Sequence, residues 1–99
     1  MKNYTVLWSQ RSKTELGDIL DYLEQTFGDT AAQNCLLEVD AILSKIAAFP
    51  EMSPAYRGKK IRRAVFHKNL SLYFKIMPHK TVLLLSFWDN RRDPKKIKL

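Results

Sequence analysis

Ninety-nine residues make room for one domain, and 45% apolar against 27% charged residues is the balance of a packed globular chain, not a disordered one. Three Gly, four Pro and one Cys exclude a collagen-like repeat and a disulfide framework. The net charge of +7 is unevenly spread: residues 1–50 carry four bases and seven acids, residues 51–99 thirteen bases and three acids, so the second half suits a polyanionic or acidic partner.

Tyr4, Val6 and Trp8 alternate with Asn3, Thr5 and Leu7, which predicts a short first strand. Ser9 or Ser12 can cap the helix that follows. Leu16, Ile19, Leu20, Leu23 and Phe27 fall on one helical face, with Glu15, Asp18, Asp21 and Glu24 lining much of the other. Gly28 is a natural stop. Asp29 or Thr30 can cap a second helix, whose stripe is Ala32, Leu36, Val39, Leu43 and Ile46, with Cys35 and Ile42 beside it. Phe49-Pro50 ends it, because the residue before proline avoids the helical region. Gly28-Asp29 is so short a joint that the two helices must form an antiparallel hairpin.

Residues 50–60 hold Pro50, Pro54 and Gly58 and read as a loop. Three strands follow, Ile61–His67, Leu70–Met77 and Thr81–Trp88, joined by turns at Lys68-Asn69 and Pro78-His79-Lys80. The last is almost wholly apolar, as expected of a central strand buried on both faces. The order is β-α-α-β-β-β, a single α+β domain over residues 1–99 in which a helical hairpin covers one face of a small, mostly antiparallel sheet. The other face is expected to carry Arg and Lys as a basic surface. No pure apolar run exceeds four residues, as in Val82–Leu85, far short of the ~18 that suggest a membrane span. With no secretory leader visible and Cys35 alone, the expectation is a cytoplasmic protein with a buried core thiol.

No metal-ligand spacing links His67 and His79, and no glycine-rich phosphate loop is present, so no metal or cofactor is expected. What remains is a cationic set: Arg57, Lys59, Lys60, Arg62, Arg63, Arg91, Arg92, Lys95 and Lys96. Guanidinium groups grip phosphate in pairs of hydrogen bonds and stabilise charge on a phosphoryl group in transfer. Metal-free RNA cleavage also needs proton transfer, for which His67 and Tyr73 are the candidates. In that reading Arg62, Arg63, Arg91 and Arg92 would be catalytic. Arg57, Lys59, Lys60, Arg62, Lys95 and Lys96 would bind a nucleic acid or another target. Trp88 has two readings, core packing and base stacking. The plain alternatives are a solvated basic face and a generic nucleic-acid-binding module.

Taken in series, several segments resemble the RelE/ParE toxin superfamily. They are Tyr4-Thr5-Val6-Leu7-Trp8-Ser9, Leu16-Gly17-Asp18-Ile19-Leu20-Asp21-Tyr22-Leu23, Ile46-Ala47-Ala48-Phe49-Pro50, Ile61-Arg62-Arg63, Leu70-Ser71-Leu72-Tyr73-Phe74-Lys75-Ile76 and Trp88-Asp89-Asn90-Arg91-Arg92-Asp93-Pro94. The resemblance implies the toxin of a bacterial type II toxin–antitoxin, plasmid-stabilisation-like system, neutralised by a cognate acidic antitoxin. RelE-type members cut mRNA on the ribosome without metal; ParE-type members inhibit DNA gyrase. RelE-type nucleases carry an Arg where this chain has Ser71, and a Tyr near the C-terminus where it has Lys95-Lys96-Ile97-Lys98-Leu99. Arg91 or Arg92 matches their exit-loop Arg, and Lys59, Lys60, Arg62 or Arg63 their lysines. Phosphate-binding groups are kept and proton-transfer groups are not, which favours a ParE-like gyrase inhibitor over an mRNA endonuclease.

Overall fold

The computed structural model describes residues 3–56, 58 and 60–99. The elements run β1 (Thr5–Trp8), α1 (Gln10–Phe27), α2 (Asp29–Ala48), β2 (Ile61–Phe66), β3 (Leu70–Met77) and β4 (Thr81–Asp89), with single 3₁₀ turns at Pro50–Met52 and Pro94–Lys96. The expected element order and α+β layering are present.

Ser9 decides where α1 begins. It is extended, its hydroxyl accepts the Ser12 amide at 3.0 Å, and it donates to the Leu85 carbonyl at 3.2 Å. One side chain thus satisfies an orphan helix donor and fastens the helix start to the sheet. Gly28, at φ 96°, ends α1 and begins α2 in a single residue. A residue with a Cβ resists that conformation, which explains the abrupt reversal. Neither Asp29 nor Thr30 caps α2 from outside, as the sequence had suggested. Asp29 instead sits in the first turn, where its charge favours the helix dipole.

The sheet order is β1-β4-β3-β2. β2–β3 and β3–β4 are antiparallel hairpins, while β1 runs parallel to β4, in register from Thr5↔Thr81 to Trp8↔Leu84. A parallel pair needs a long crossover, and the helical hairpin with two strands supplies it. The apolar fourth strand is central, as its composition required. Both three-residue turns hold non-glycine residues at positive φ: His67 (41°) and Lys68 (53°), then His79 (61°) and Lys80 (50°). Such residues carry strain of roughly 1 kcal/mol each, and glycine relieves it. His79→Gly is therefore expected to raise stability by up to about 1 kcal/mol, read as a shift in the urea midpoint at constant slope.

The main core lies between the hairpin and the sheet. Leu16, Cys35, Val39 and Ile46 pack against Ala64, Leu72, Phe74, Val82, Leu84 and Phe87. Burial pushes the Cys35 thiol up in pKa, with Glu38 adding to the effect, so it is an inert core group as expected. Two expected core positions are not buried. Leu36 is 44% exposed, because Cys35 and Val39 turn inward and leave it on the flank of α2. Phe27 is 64% exposed, because it falls in the last turn of α1, at the hairpin's tip.

The far face of the sheet is not the open basic surface the sequence suggested. Ile61, Tyr73, Trp88 and Ile97 form a second buried cluster, joined by Tyr56 and Leu85. The chain covers this face with the segment before β2 and with its C-terminal tail. Pro54–Tyr56 lies along β2 through Arg63 N–Pro54 O and Tyr56 N–Ile61 O at 3.0 and 2.8 Å, and the tail brings Ile97 inward.

Candidate functional site

The nine cations of the sequence set do not converge. Arg57 and Lys59 lie outside the described residues. Lys60, Lys95 and Lys96 are exposed. Arg62 follows the pleat to the helix side, where its Nη1 donates to the Glu51 and Ser53 carbonyls at 3.0 and 2.6 Å. It holds the connecting segment in place. Arg63, one residue on, takes the opposite face.

Arg63 enters a small polar network. Its Nε donates to Ser71 Oγ at 3.0 Å and its Nη2 approaches Asn90 Oδ1 at 3.4 Å. Ser71 Oγ in turn donates to Asn90 Oδ1 at 2.7 Å. Ser71 is thus a buried serine that orients the Arg63 guanidinium. Tyr73 lies below, wholly buried, edge-to-face with Tyr56 at 4.8 Å. Burial raises its pKa against the opposing pull of Arg63, so it stays a neutral phenol. His67 is distant in role: it sits in the β2–β3 turn and pairs with Glu38 of α2. Trp88 is 5% exposed, with the Arg92 guanidinium stacked at 4.3 Å from its ring centre. Its core reading is the one the structure fits.

Arg91 faces a different feature. Its Nε and Nη2 grip both carboxylate oxygens of Asp89 at 2.5–3.2 Å, and its own amide donates to Asp89 Oδ1 at 2.9 Å. The Arg91 hydrogen bonds hold the Asp89 carboxyl below its ordinary pKa. A depressed carboxylate contributes stability that is full above its unfolded pKa and lost as pH falls through the folded one. The thermal midpoint of the wild-type chain is thus expected to exceed that of Asp89→Asn at pH 7, and the gap should close below about pH 4.

This pair stands at the mouth of a groove of about 730 Å3 between the Gly28 end of the helical hairpin, where the two helices join, and the ends of β2, β3 and β4. Ile19, Tyr22, Leu23, Phe27, Ala31 and Leu70 make its apolar lining, and His67, Lys68, Arg91 and Arg92 stand on the strand side. Tyr22 and Phe27 are exposed and edge-to-face at 6.4 Å. Phe27 was expected on the apolar stripe of α1, and Tyr22 had no expected role of its own; the signal that marks them is an aromatic pair five residues apart at a helix end, with Arg91 within reach of the Tyr22 side chain. Among the described residues no cluster of three His, Cys, Asp or Glu side chains is placed to hold a metal ion. Among the described residues no helix is long and apolar enough to cross a membrane.

Residues 6–94 match the family model of the ParE toxin of the type II toxin–antitoxin system parDE. The chain belongs to the ParE toxin family. A solved chain of the chromosomal ParDE system from P. aeruginosa superimposes with a TM-score of 0.73 at 12% identity, over 87% of this chain and 95% of that one. A chain of the RelBE2 toxin–antitoxin complex from Mycobacterium tuberculosis gives 0.61 at 16% identity, over 88% and 98%. No curated protein sequence matches. The fold is therefore common to both branches of the superfamily.

Proposed function

We propose that this ParE-family toxin arrests growth by binding and inhibiting DNA gyrase, and that it is not a nuclease. The observation that carries this reading is the dispersal of its cations. Arg62 is spent on backbone carbonyls and Arg63 on Ser71 and Asn90, while Arg91 faces the groove on the other side of the sheet. Neither proton-transfer candidate is poised to act: Tyr73 lies beside Arg63 but is buried and neutral, and His67 is paired with Glu38 across on α2. Metal-free cleavage needs phosphate grip and proton transfer within hydrogen-bond reach of one phosphodiester. The test is supercoiling by purified gyrase with the toxin in excess, run beside primer extension on translated messages. Loss of supercoiling with intact messages supports the reading; normal supercoiling with new 5′ ends overturns it and restores the mRNA endonuclease, ribosome-dependent, as the function.

We further propose that the groove receives the neutralising segment of a cognate antitoxin. The exposed aromatic pair offers anchors that exclude water, and Lys68, Arg91 and Arg92 on the rim complement an acidic chain. The location that this implies is the bacterial cytoplasm, where antitoxin and gyrase both meet the toxin.

A further inference from the structure

We infer that Phe49 and Met52 form the anchor by which this toxin seats in an apolar, acid-rimmed socket on its protein target. The inference rests on the reading of DNA gyrase as that target.

The anchor is a single turn that leads out of α2. Phe49 is 56% exposed and Met52 81%. Apolar side chains scattered singly over a surface are ordinary, but these two share one turn that the fold holds in place. Pro50 between them is buried and opens the 3₁₀ turn, which the Met52 amide closes on the Phe49 carbonyl at 3.2 Å. Arg62 of β2 grips the same turn from the sheet, through the Glu51 and Ser53 carbonyls. The Tyr4 amide donates to the Ala47 carbonyl at 2.8 Å and ties the end of α2 to the chain entering β1. A loose loop would fold its apolar side chains back onto the protein. This backbone holds them out, so a partner meets a preorganised pair and loses little conformational entropy in ordering it. Phenylalanine and methionine are also among the residue types enriched at interface centres.

Shape and charge select the occupant. A projecting anchor needs a pocket, and a pocket needs a folded partner; a single antitoxin segment laid in a groove has none to offer. The groove draws on the first half of α2, from Ala31 to Glu38, whereas the anchor follows its last residue, Ala48. At about 1.5 Å per residue the helix rises roughly 25 Å from Ala31 to Ala48, so the two surfaces are separate. Cations flank the anchor. Lys45 is exposed one turn before Phe49, and the Lys80 ammonium stands over the Tyr4 ring at 5.2 Å from its centre. Glu51 is the acid on the turn itself. The two lysines complement carboxylates around the socket.

The test measures binding to the gyrase holoenzyme and inhibition of supercoiling, with antitoxin affinity as a second readout. Phe49→Gln with Met52→Gln is expected to raise the concentration needed for inhibition at least about a hundredfold, and Met52→Gln alone about tenfold. Antitoxin affinity should stay within about threefold, and the melt should be native, because both side chains are exposed. Lys45→Gln with Lys80→Gln should slow association with gyrase and flatten its salt dependence. A wild-type chain that leaves supercoiling intact overturns the gyrase reading, and this use of the anchor with it. Inhibition by the wild type and equal inhibition by the folded double variant refutes the anchor alone. Loss of antitoxin affinity, with or without loss of inhibition, also overturns the assignment of this turn to the target. If the double variant does not fold, Met52→Gln decides, and undiminished inhibition by it refutes the anchor. An association rate that the lysine pair leaves unchanged refutes the acidic rim.

Discussion

Replacing Tyr22 and Phe27 together by Gln is expected to weaken the complex with the cognate antitoxin about a thousandfold while leaving the toxin folded. Each ring is a large exposed aromatic with no core duty, at 49% and 64% exposure, and the two stand edge-to-face on the α1 wall of the groove. Interface aromatics in central, desolvated positions typically cost about 2 kcal/mol or more when removed, and two of them reach three decades in affinity. The folded chain should notice little, because exposed substitutions usually stay within about 0.5 kcal/mol each. Gln preserves helix propensity in α1 and places no acid near the helix C-terminus. Isothermal titration with the antitoxin measures the loss, and a thermal melt of the free toxin checks the fold. An affinity within threefold of wild type would move the partner off the groove. Inhibition of gyrase by the double variant separates the two surfaces: retained inhibition means that target and antitoxin use different faces.

The fold was legible because its signals are local. Ser9 at a strand end, Gly28 between two apolar stripes and Pro50 after Phe49 punctuate the chain where the elements begin and end. The near-continuous apolar run of β4 marked it as central, and the sheet order agrees. The far face was misread for a physical reason. Alternation tells which residues share a face, but not what covers it. Arg62 and Arg63 are neighbours in sequence and opposite in the pleat, so a charge cluster on the page is split by the strand itself. Ile97 follows Lys95-Lys96 in a stretch that reads as solvated tail, and its burial depends on where the tail returns. The groove was missed because Phe27 completes the apolar stripe of α1 on a helical wheel, whereas the structure leaves its ring exposed in the last turn of the helix.

The second large effect concerns Ser71. Ser71→Arg introduces the residue type that a resemblance to RelE-type nucleases would call for, yet it should yield no cleavage and a much less stable chain. Ser71 is wholly buried, accepts from Arg63 Nε and donates to Asn90 Oδ1. An arginine there loses both bonds and sets a second guanidinium against the first in a desolvated site. Leaving an uncompensated buried charge costs on the order of 3–5 kcal/mol, a large share of the roughly 5–15 kcal/mol that holds a domain. Ser71→Ala, which only strands the donors around it, should cost about 1–3 kcal/mol. The exchange Ser71→Arg with Arg63→Ser brings the face back to one guanidinium and should recover most of the loss, a coupling that denaturation of the three variants resolves. A Ser71→Arg chain as stable as wild type would mean that the far face tolerates paired cations, and the case against phosphodiester chemistry there would fall with it. The ranking Arg below Ala below Ser, with recovery in the exchange, would instead make Ser71 the residue that turns a phosphate-gripping cation into a structural one.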